Sequence, residues 1–388
     1  MRLARPSPIT LLCGGLALVY AARTLEYFAG ADGLMDKFGY VIGRDFIAVW
    51  LAAKLTLGGQ IAAVFDPALY RQAMVAQFGP DLTRHLWLYP PHYLLLILPY
   101  GILGYVASLV LWAASTFVLY AGAALTGLTR HWQAGLVLFL APATYANLLF
   151  GQNGFITAAL LIGGLRLLQT HPVLAGVCFG VLTVKPQLGL LIPVALVALG
   201  AWRTIASAAI TGIALMGLSA VVFGVDSWLA FAEVTTGQQS LLLNTPSTGL
   251  HLLMVTPFGA AIRLGGPVEL ALALNLATAA LAAIAVWWSY RRPAEPVLRH
   301  AVLVTAVYFA APYSLTYDMP ALAAMCVWLW LAAPGFCRPV RTRLALLAVW
   351  MLPLLHHLAM IYYVPLAPLV LAGFGALLLS AVARSGNR

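Results

Sequence analysis

Five short polar patches interrupt an otherwise apolar chain, and each holds residue types able to do chemistry. The first, Gly43-Arg44-Asp45-Phe46, sets a carboxylate beside a guanidinium. Tyr89-Pro90-Pro91-His92, Gly151-Gln152-Asn153-Gly154, Lys185-Pro186-Gln187 and Tyr317-Asp318 follow in that order. An ionised carboxylate close to hydrocarbon is costly, so it needs a partner, a water-filled cavity or a function. Asp45 is therefore the leading candidate for a base that takes a proton from a hydroxyl. Lys185, with Arg44, His92 and Arg263 behind it, offers positive charge or N–H donors to an anion such as phosphate. The amides of Gln152, Asn153 and Gln187 suit the reading of hydroxyl groups. The rings of Tyr89 and Tyr317 suit stacking on a polar substrate, although aromatic residues at a membrane boundary also serve as anchors.

Each patch also has a plain structural reading. Asp45 could pair with Arg44 or cap the helix that follows. Asp318 could cap the helix beginning at Met319-Pro320, since proline is favoured in a first turn. Lys185 could extend its ammonium to the membrane interface. Gln152-Asn153 could be only a turn, bent by the two flanking glycines.

The elements that must position these groups are transmembrane helices. Of 388 residues, 63% are hydrophobic and 8% charged, and the mean hydropathy is +0.94. Apolar stretches of about 15 to 22 residues match helices crossing roughly 30 Å of hydrocarbon. Alternation of apolar and polar residues, the mark of a β-barrel, is absent from runs such as residues 344–355 and 365–383. The fold class is an all-α polytopic membrane protein, forming one integral-membrane domain over residues 1–388.

Spans are expected near residues 9–29, 105–126, 132–149, 153–168, 172–184, 186–200, 203–223, 267–289, 300–313, 318–334, 344–357 and 365–383. That makes about twelve helices, the first a retained signal anchor, with both termini on the cytoplasmic side. The charges support this orientation. Arg2, Arg5, Arg130, Arg166, Arg203, Arg291, Arg292, Arg299, Arg338, Arg341, Arg343, Arg384 and Arg388 fall inside, where Glu295 is the only acid. Asp32, Asp36, Asp45, Asp66, Asp81, Asp226, Glu233 and Asp318 fall outside; Lys37, Arg44, Lys54, Arg71 and Arg84 share the long outer loop.

That loop, within residues 30–104, is too apolar for a disordered linker. Residues 46–57 and 67–78 read as amphipathic helices on the membrane surface. Residues 89–103 would invert every later span if they crossed, so they are expected to re-enter or to lie at the interface. A second outer loop, residues 224–266, holds a candidate helix at residues 227–235 and then a polar stretch. In this topology the five patches and the stretch from Asn244 to His251 all lie at outer helix ends, an arrangement that one outward-facing cavity would explain.

Other chemistries find little support. The formal charge of +10 reads as a topology signal and not as a nucleic-acid surface. Cys13, Cys178, Cys326 and Cys337 have no metal-ligand spacing, and His92, His251, His356 and His357 form no local metal motif. No phosphate-binding glycine loop or serine nucleophile elbow occurs, and no cofactor or metal is expected.

The order of Gly43-Arg44-Asp45-Phe46, Tyr89-Pro90-Pro91, Gly151-Gln152-Asn153-Gly154, Lys185-Pro186-Gln187-Leu188-Gly189, Ala311-Pro312-Tyr313 and Tyr317-Asp318 resembles glycosyltransferase family 87. The resemblance covers most of the chain and implies a GT-C-type fold, in the class of polyprenyl-phosphate-mannose-dependent mannosyltransferases. It implies that Asp45, an acid in the first outer loop, is the catalytic base. The implied donor is a sugar, mannose first, on a polyprenyl phosphate; the acceptor is a glycolipid or glycan hydroxyl among the membrane lipids. The implied place is the bacterial inner (plasma) membrane, with the active site facing the periplasm. Some members carry a histidine in the late outer loop; Ser314-Leu315-Thr316-Tyr317-Asp318 has none, leaving Asp318 as a substitute.

The expected reaction is a single displacement with inversion. Asp45 accepts the proton of the acceptor hydroxyl as that oxygen attacks the anomeric carbon, and a polyprenyl phosphate leaves as a stable anion. A lipid or solute transporter and a glycan polymerase are the alternatives.

Overall fold

A computed structural model describes residues 8–80, 82, 85–128, 131–244 and 249–385. Arg2, Arg5, Asp81, Arg84, Arg130 and Arg388, counted above for topology, and residues 245–248 of the second loop lie outside the described residues. Among the described residues the chain is helical, without strands beyond isolated bridges such as that between Met254 and Leu315.

Helix α1 (Pro8–Phe28) is followed by four helices within the first long loop: α2 (Phe46–Leu57), α3 (Ile61–Phe65), α4 (Pro67–Phe78) and α5 (Pro91–Ile97). Then come α6 (Tyr105–Leu125), α7 (His131–Phe139), α8 (Pro142–Phe150) and α9 (Gly154–Leu167). Two short helices, α10 (Pro172–Val181) and α11 (Ile192–Leu199), are joined by 3-10 turns, Leu182–Val184 and Pro186–Gly189, that leave Lys185 at the break. The chain continues through α12 (Trp202–Phe223), α13 (Asp226–Asn244), α14 (Pro257–Arg263), α15 (Val268–Tyr290) and α16 (Pro296–Ala310). A 3-10 turn, Thr316–Asp318, leads into α17 (Pro320–Ala332), α18 (Pro334–Cys337), α19 (Val340–Ile361) and α20 (Leu366–Ser385).

Local chemistry explains many of these starts. Proline occupies the first turn of α4, α5, α8, α10, α14, α16 and α17, where its missing N–H would have had no partner. Asp66 Oδ1 also accepts from the N–H groups of Ala68 and Leu69 at the start of α4, at 2.8 and 2.9 Å.

Each expected span overlaps helix, but among the described residues only six helices are long and apolar enough to cross alone: α1, α6, α12, α15, α19 and α20. Counting α7 and α8, bent by 56°, as one broken span gives seven. The expectation of about twelve also counted α9, α10, α11, α16 and α17, which are shorter apolar helices. Many apolar side chains on the long helices face outward, among them Leu18, Val221 and Leu276 at 73, 84 and 73% exposure. Surfaces of that kind are stable against lipid and not against water. The protein is a polytopic integral membrane protein.

Two corrections concern the loops. Helix α2 is not an amphipathic surface helix: Phe46 to Ala53 are all buried, as is Leu55. A surface helix keeps one polar face, whereas α2 carries only Lys54 and Thr56 as polar residues, so it packs all round and against α5 and α6. The candidate helix at 227–235 is part of a longer one, α13, which extends to Asn244 through residues expected to be loop. In contrast, α4 buries Tyr70 and Met74, one turn apart, and leaves Leu69 exposed.

At seven residues and about 1.5 Å per residue, α5 is too short to cross a membrane. It buries His92, Tyr93, Leu94 and Ile97, and the chain turns at Leu98–Gly101 before α6. Two large buried cores result, beside a small third cluster of Met254, Phe258, Ala261 and Ala271. The larger joins α9 to α11 with α15, α16, α17, α19 and α20. The smaller joins α2, α5 and the early part of α6. The polar patches meet where these cores adjoin.

Candidate active site

Asp45 occupies the N-cap position of α2, but its carboxylate makes no capping hydrogen bond. Nor is it paired with Arg44. That residue adopts a left-handed φ of 42°, and its guanidinium lies 3.6 Å from Asp36 and over the rings of Tyr27, Tyr40 and Phe150. A residue bearing a Cβ loses about 1–2 kcal/mol in that conformation. Both plain readings of Asp45 are thus excluded.

Asp45 instead faces the Gly151-Gln152-Asn153-Gly154 turn. Gln152 Nε2 donates to Asp45 Oδ2 at 2.7 Å, and the Tyr89 hydroxyl donates to Gln152 Oε1 at 3.1 Å. The other carboxylate oxygen, Oδ1, lies 3.4 Å from His85 Nε2. The Asp45 side chain remains 29% exposed, open enough to meet a substrate.

The next residue of the turn reaches the second half of the site. Asn153 Oδ1 accepts from Lys185 Nζ at 3.1 Å, and Lys185 Nζ lies 2.5 Å from Asp318 Oδ1. This pair is buried, with side-chain exposures of 5 and 0%. Asp318 does not cap α17. Its Oδ2 accepts from the N–H of Leu315, three residues earlier, and its carbonyl accepts from the Tyr308 hydroxyl. The backbone carbonyl of Tyr317 accepts from Asn147 Nδ2 at 3.0 Å.

The two glycines make this bridging turn possible. Gly151 has a left-handed φ of 57°, and a Cβ on it would sit 2.5 Å from Phe46 Cβ and 2.6 Å from the Gly43 carbonyl oxygen. A Cβ on Gly154 would sit 2.1 Å from the Tyr317 carbonyl oxygen and 2.4 Å from Asn147 Nδ2. One glycine lets the turn press onto the Asp45 loop and the other lets it press onto the Asp318 turn. The indole N–H of Trp112 donates to the Gly151 carbonyl at 3.1 Å and holds the turn down.

The electrostatics tie both halves together. Burial first, and then the carboxylates of Asp318 and Asp45, raise the pKa of Tyr89. Burial, Asp45 and Asp318, in that order, push Tyr317 well above the usual phenol range. Both phenols therefore stay protonated, and that of Tyr89 donates to Gln152. The Lys185 ammonium also sits 5.6 Å from the centroid of the Tyr317 ring.

The remaining candidates are placed less centrally. His92 contacts Thr183 Oγ1 at 3.2 Å and stacks on Trp228; burial lowers its pKa to about 4, so it is a neutral hydrogen-bonding group. Arg263 donates to the carbonyls of Met360 and Ile361 and lies over Tyr363, at the end of α19. Gln187 is half-buried in the turn after Lys185. Among the described residues no group of three or more His, Cys, Asp or Glu is gathered as a metal ion would need.

Two contributors were not legible beforehand. His85 belongs to no sequence motif in the first long loop. Asn147 left a usable trace: an amide four residues before Gly151 in an apolar helix shares its face.

Comparison with known proteins adds one finding. No curated protein and no solved structure matches the chain. The family model of glycosyltransferase family 87 matches residues 87–315. That stretch includes Tyr89, His92, Gln152, Asn153, Lys185, Gln187 and Arg263, while Arg44, Asp45, Tyr317 and Asp318 flank it. With a match over more than half of its length, the chain belongs to glycosyltransferase family 87 and is a membrane glycosyltransferase.

Proposed function

We propose that this glycosyltransferase moves one sugar, mannose first among candidates, from a polyprenyl phosphate to an acceptor hydroxyl at the outer membrane face. The carrying observation is the state of Asp45: neither capping a helix nor bridged to Arg44, held through one oxygen by Gln152, and partly exposed. That is the condition of a carboxylate kept ready to accept a proton.

In this reading the acceptor O–H proton passes to Asp45 while the hydroxyl oxygen forms a bond to the anomeric carbon. The bond from that carbon to the phosphate oxygen breaks on the opposite face, and its electron pair leaves with the polyprenyl phosphate. Inversion follows. A phosphate leaves as a stable anion, so no second carboxylate has to act as acid, unlike in glycoside hydrolysis. Asp318, bound to Lys185 and to the Leu315 N–H, is accordingly a structural partner.

The leaving phosphate needs positive charge or N–H donors. Lys185 is neutralised by Asp318 and buried, so in this reading it clamps the site. Arg44, beside the base and 16% exposed, is the better phosphate contact. The orientation follows from arginine-rich loops on the side away from the site. In this reading both termini lie in the cytoplasm and the site on the periplasmic face of a bacterial inner membrane.

The test incubates purified protein in nanodiscs with radiolabelled polyprenyl-phosphate-mannose and total membrane lipid, comparing wild type with Asp45→Asn. Label entering a new lipid with the wild type alone supports the donor and the base together. Transfer at the wild-type rate by Asp45→Asn removes Asp45 from the chemistry.

A further inference from the structure

Gln152 was expected to read a substrate hydroxyl, but its amide is engaged at both ends. An ionised carboxylate only accepts hydrogen bonds, so the amide end turned to Asp45 must be the NH2 group. That leaves Oε1 facing Tyr89, whose hydroxyl donates to it. A flip of the amide would set oxygen against carboxylate and turn the NH2 group onto the Asn153 N–H, which now points at Oε1 at 3.4 Å. The amide orientation is therefore determined by its neighbours.

The bonds divide the two oxygens of Asp45. Oδ2 is held at 2.7 Å by Gln152, while Oδ1 faces His85 Nε2 at 3.4 Å, longer than the 2.7–3.2 Å of an ordinary N–H to O bond. The turn carrying Gln152 is itself held, by the close approach of Gly151 to Phe46 and Gly43 and by Trp112.

We propose that Gln152 is a positioning residue which, locked by Tyr89, occupies Oδ2 of Asp45 and makes Oδ1 the oxygen that takes the acceptor proton. The proposal rests on Asp45 being the base. It places the acceptor hydroxyl on the His85 side of the carboxylate, and the imidazole beside Oδ1 borders the path of that hydroxyl. It also removes Gln152 from sugar recognition and leaves that task to groups on the open side of Asp45.

The experiment uses the full chain in nanodiscs with polyprenyl-phosphate-mannose and total membrane lipid, and compares wild type, Gln152→Ala, Tyr89→Phe and Asp45→Asn. A positioning role lowers kcat by about 100-fold in Gln152→Ala and by about 10-fold in Tyr89→Phe, with donor KM unchanged within about twofold. A sugar-reading Gln152 would instead raise donor KM at nearly constant kcat, and that result overturns the proposal. Infrared difference spectra, each variant against the same variant carrying Asp45→Asn, isolate the carboxylate bands of Asp45 without requiring turnover. These bands shift in Gln152→Ala and Tyr89→Phe if the relay holds Oδ2; unshifted bands in both also overturn it. Full activity of Asp45→Asn alongside shifted bands would reject the base while leaving the hydrogen-bond relay intact, so the two failures are distinguishable. Thermal unfolding of each variant separates loss of folding from loss of positioning.

Discussion

The Nζ of Lys185 and the Oδ1 of Asp318 meet at 2.5 Å, with both side chains shielded from solvent. This contact ties the break between α10 and α11 to the turn that opens α17, elements 133 residues apart. Asn153 completes the junction through Lys185, so the second half of the site depends on a buried ion pair.

Breaking that pair from one side leaves an uncompensated charge. Lys185→Met or Asp318→Leu should each lower stability by about 3–5 kcal/mol, while the double variant should lose less than the sum. Denaturant unfolding of the four proteins in detergent measures the coupling. Additive losses would show that the two groups do not interact.

Asp45→Asn should leave stability close to wild type, because Asp45 caps nothing and asparagine can still accept from Gln152. Transfer activity should fall by about 10²- to 10⁴-fold, the usual contribution of a general base. Parallel thermal melts and label-transfer assays give both quantities on one preparation.

Gly151→Ala and Gly154→Ala should both destabilise, for different reasons. Alanine at 151 meets the left-handed backbone, worth about 1–2 kcal/mol, in addition to Phe46 and the Gly43 carbonyl. At 154 it meets the Tyr317 carbonyl, a backbone atom with no rotamer to yield. A lower melting temperature with reduced transfer is expected in each, and unchanged melting would contradict the close approaches.

Burial holds His92 with a pKa near 4, below the usual 6.5. The unfolded chain therefore binds a proton between those values that the native state refuses. The stability contribution is complete above pH 6.5 and is lost as pH falls towards 4. Wild-type melting should decline across that window more steeply than that of His92→Gln, and parallel curves would count against burial as the cause.

Much of this architecture was legible in advance because hydrocarbon imposes a strong compositional rule. Twelve apolar segments were readable, and helix underlies most of each, since a backbone in lipid must satisfy its own hydrogen bonds, but among the described residues only six helices, or seven spans with the bent pair, are long enough to cross. Helix α2 was misread for a related reason. Its continuous apolar run carries no periodicity that separates a surface helix from one buried on all sides, and only packing against α5 and α6 distinguishes them.

The candidate site divides along the same line. From residue types alone the sequence marks Asp45 as a candidate base that could equally pair with Arg44 or cap a helix, the Gly151 to Gly154 turn as a bend, and Lys185 as a cation for the interface or for a phosphate. Which of these groups meet was decided by tertiary structure. Gln152 lies 107 residues from Asp45, and Lys185 lies 133 from Asp318. No local spacing encodes contacts at such separations; they exist because Gly151 and Gly154 let one turn press against two loops at once. The chemical repertoire is a property of the residues, but the assignment of Asp45 to an exposed, oriented state and of Lys185 to a buried pair comes from side chains brought together by packing.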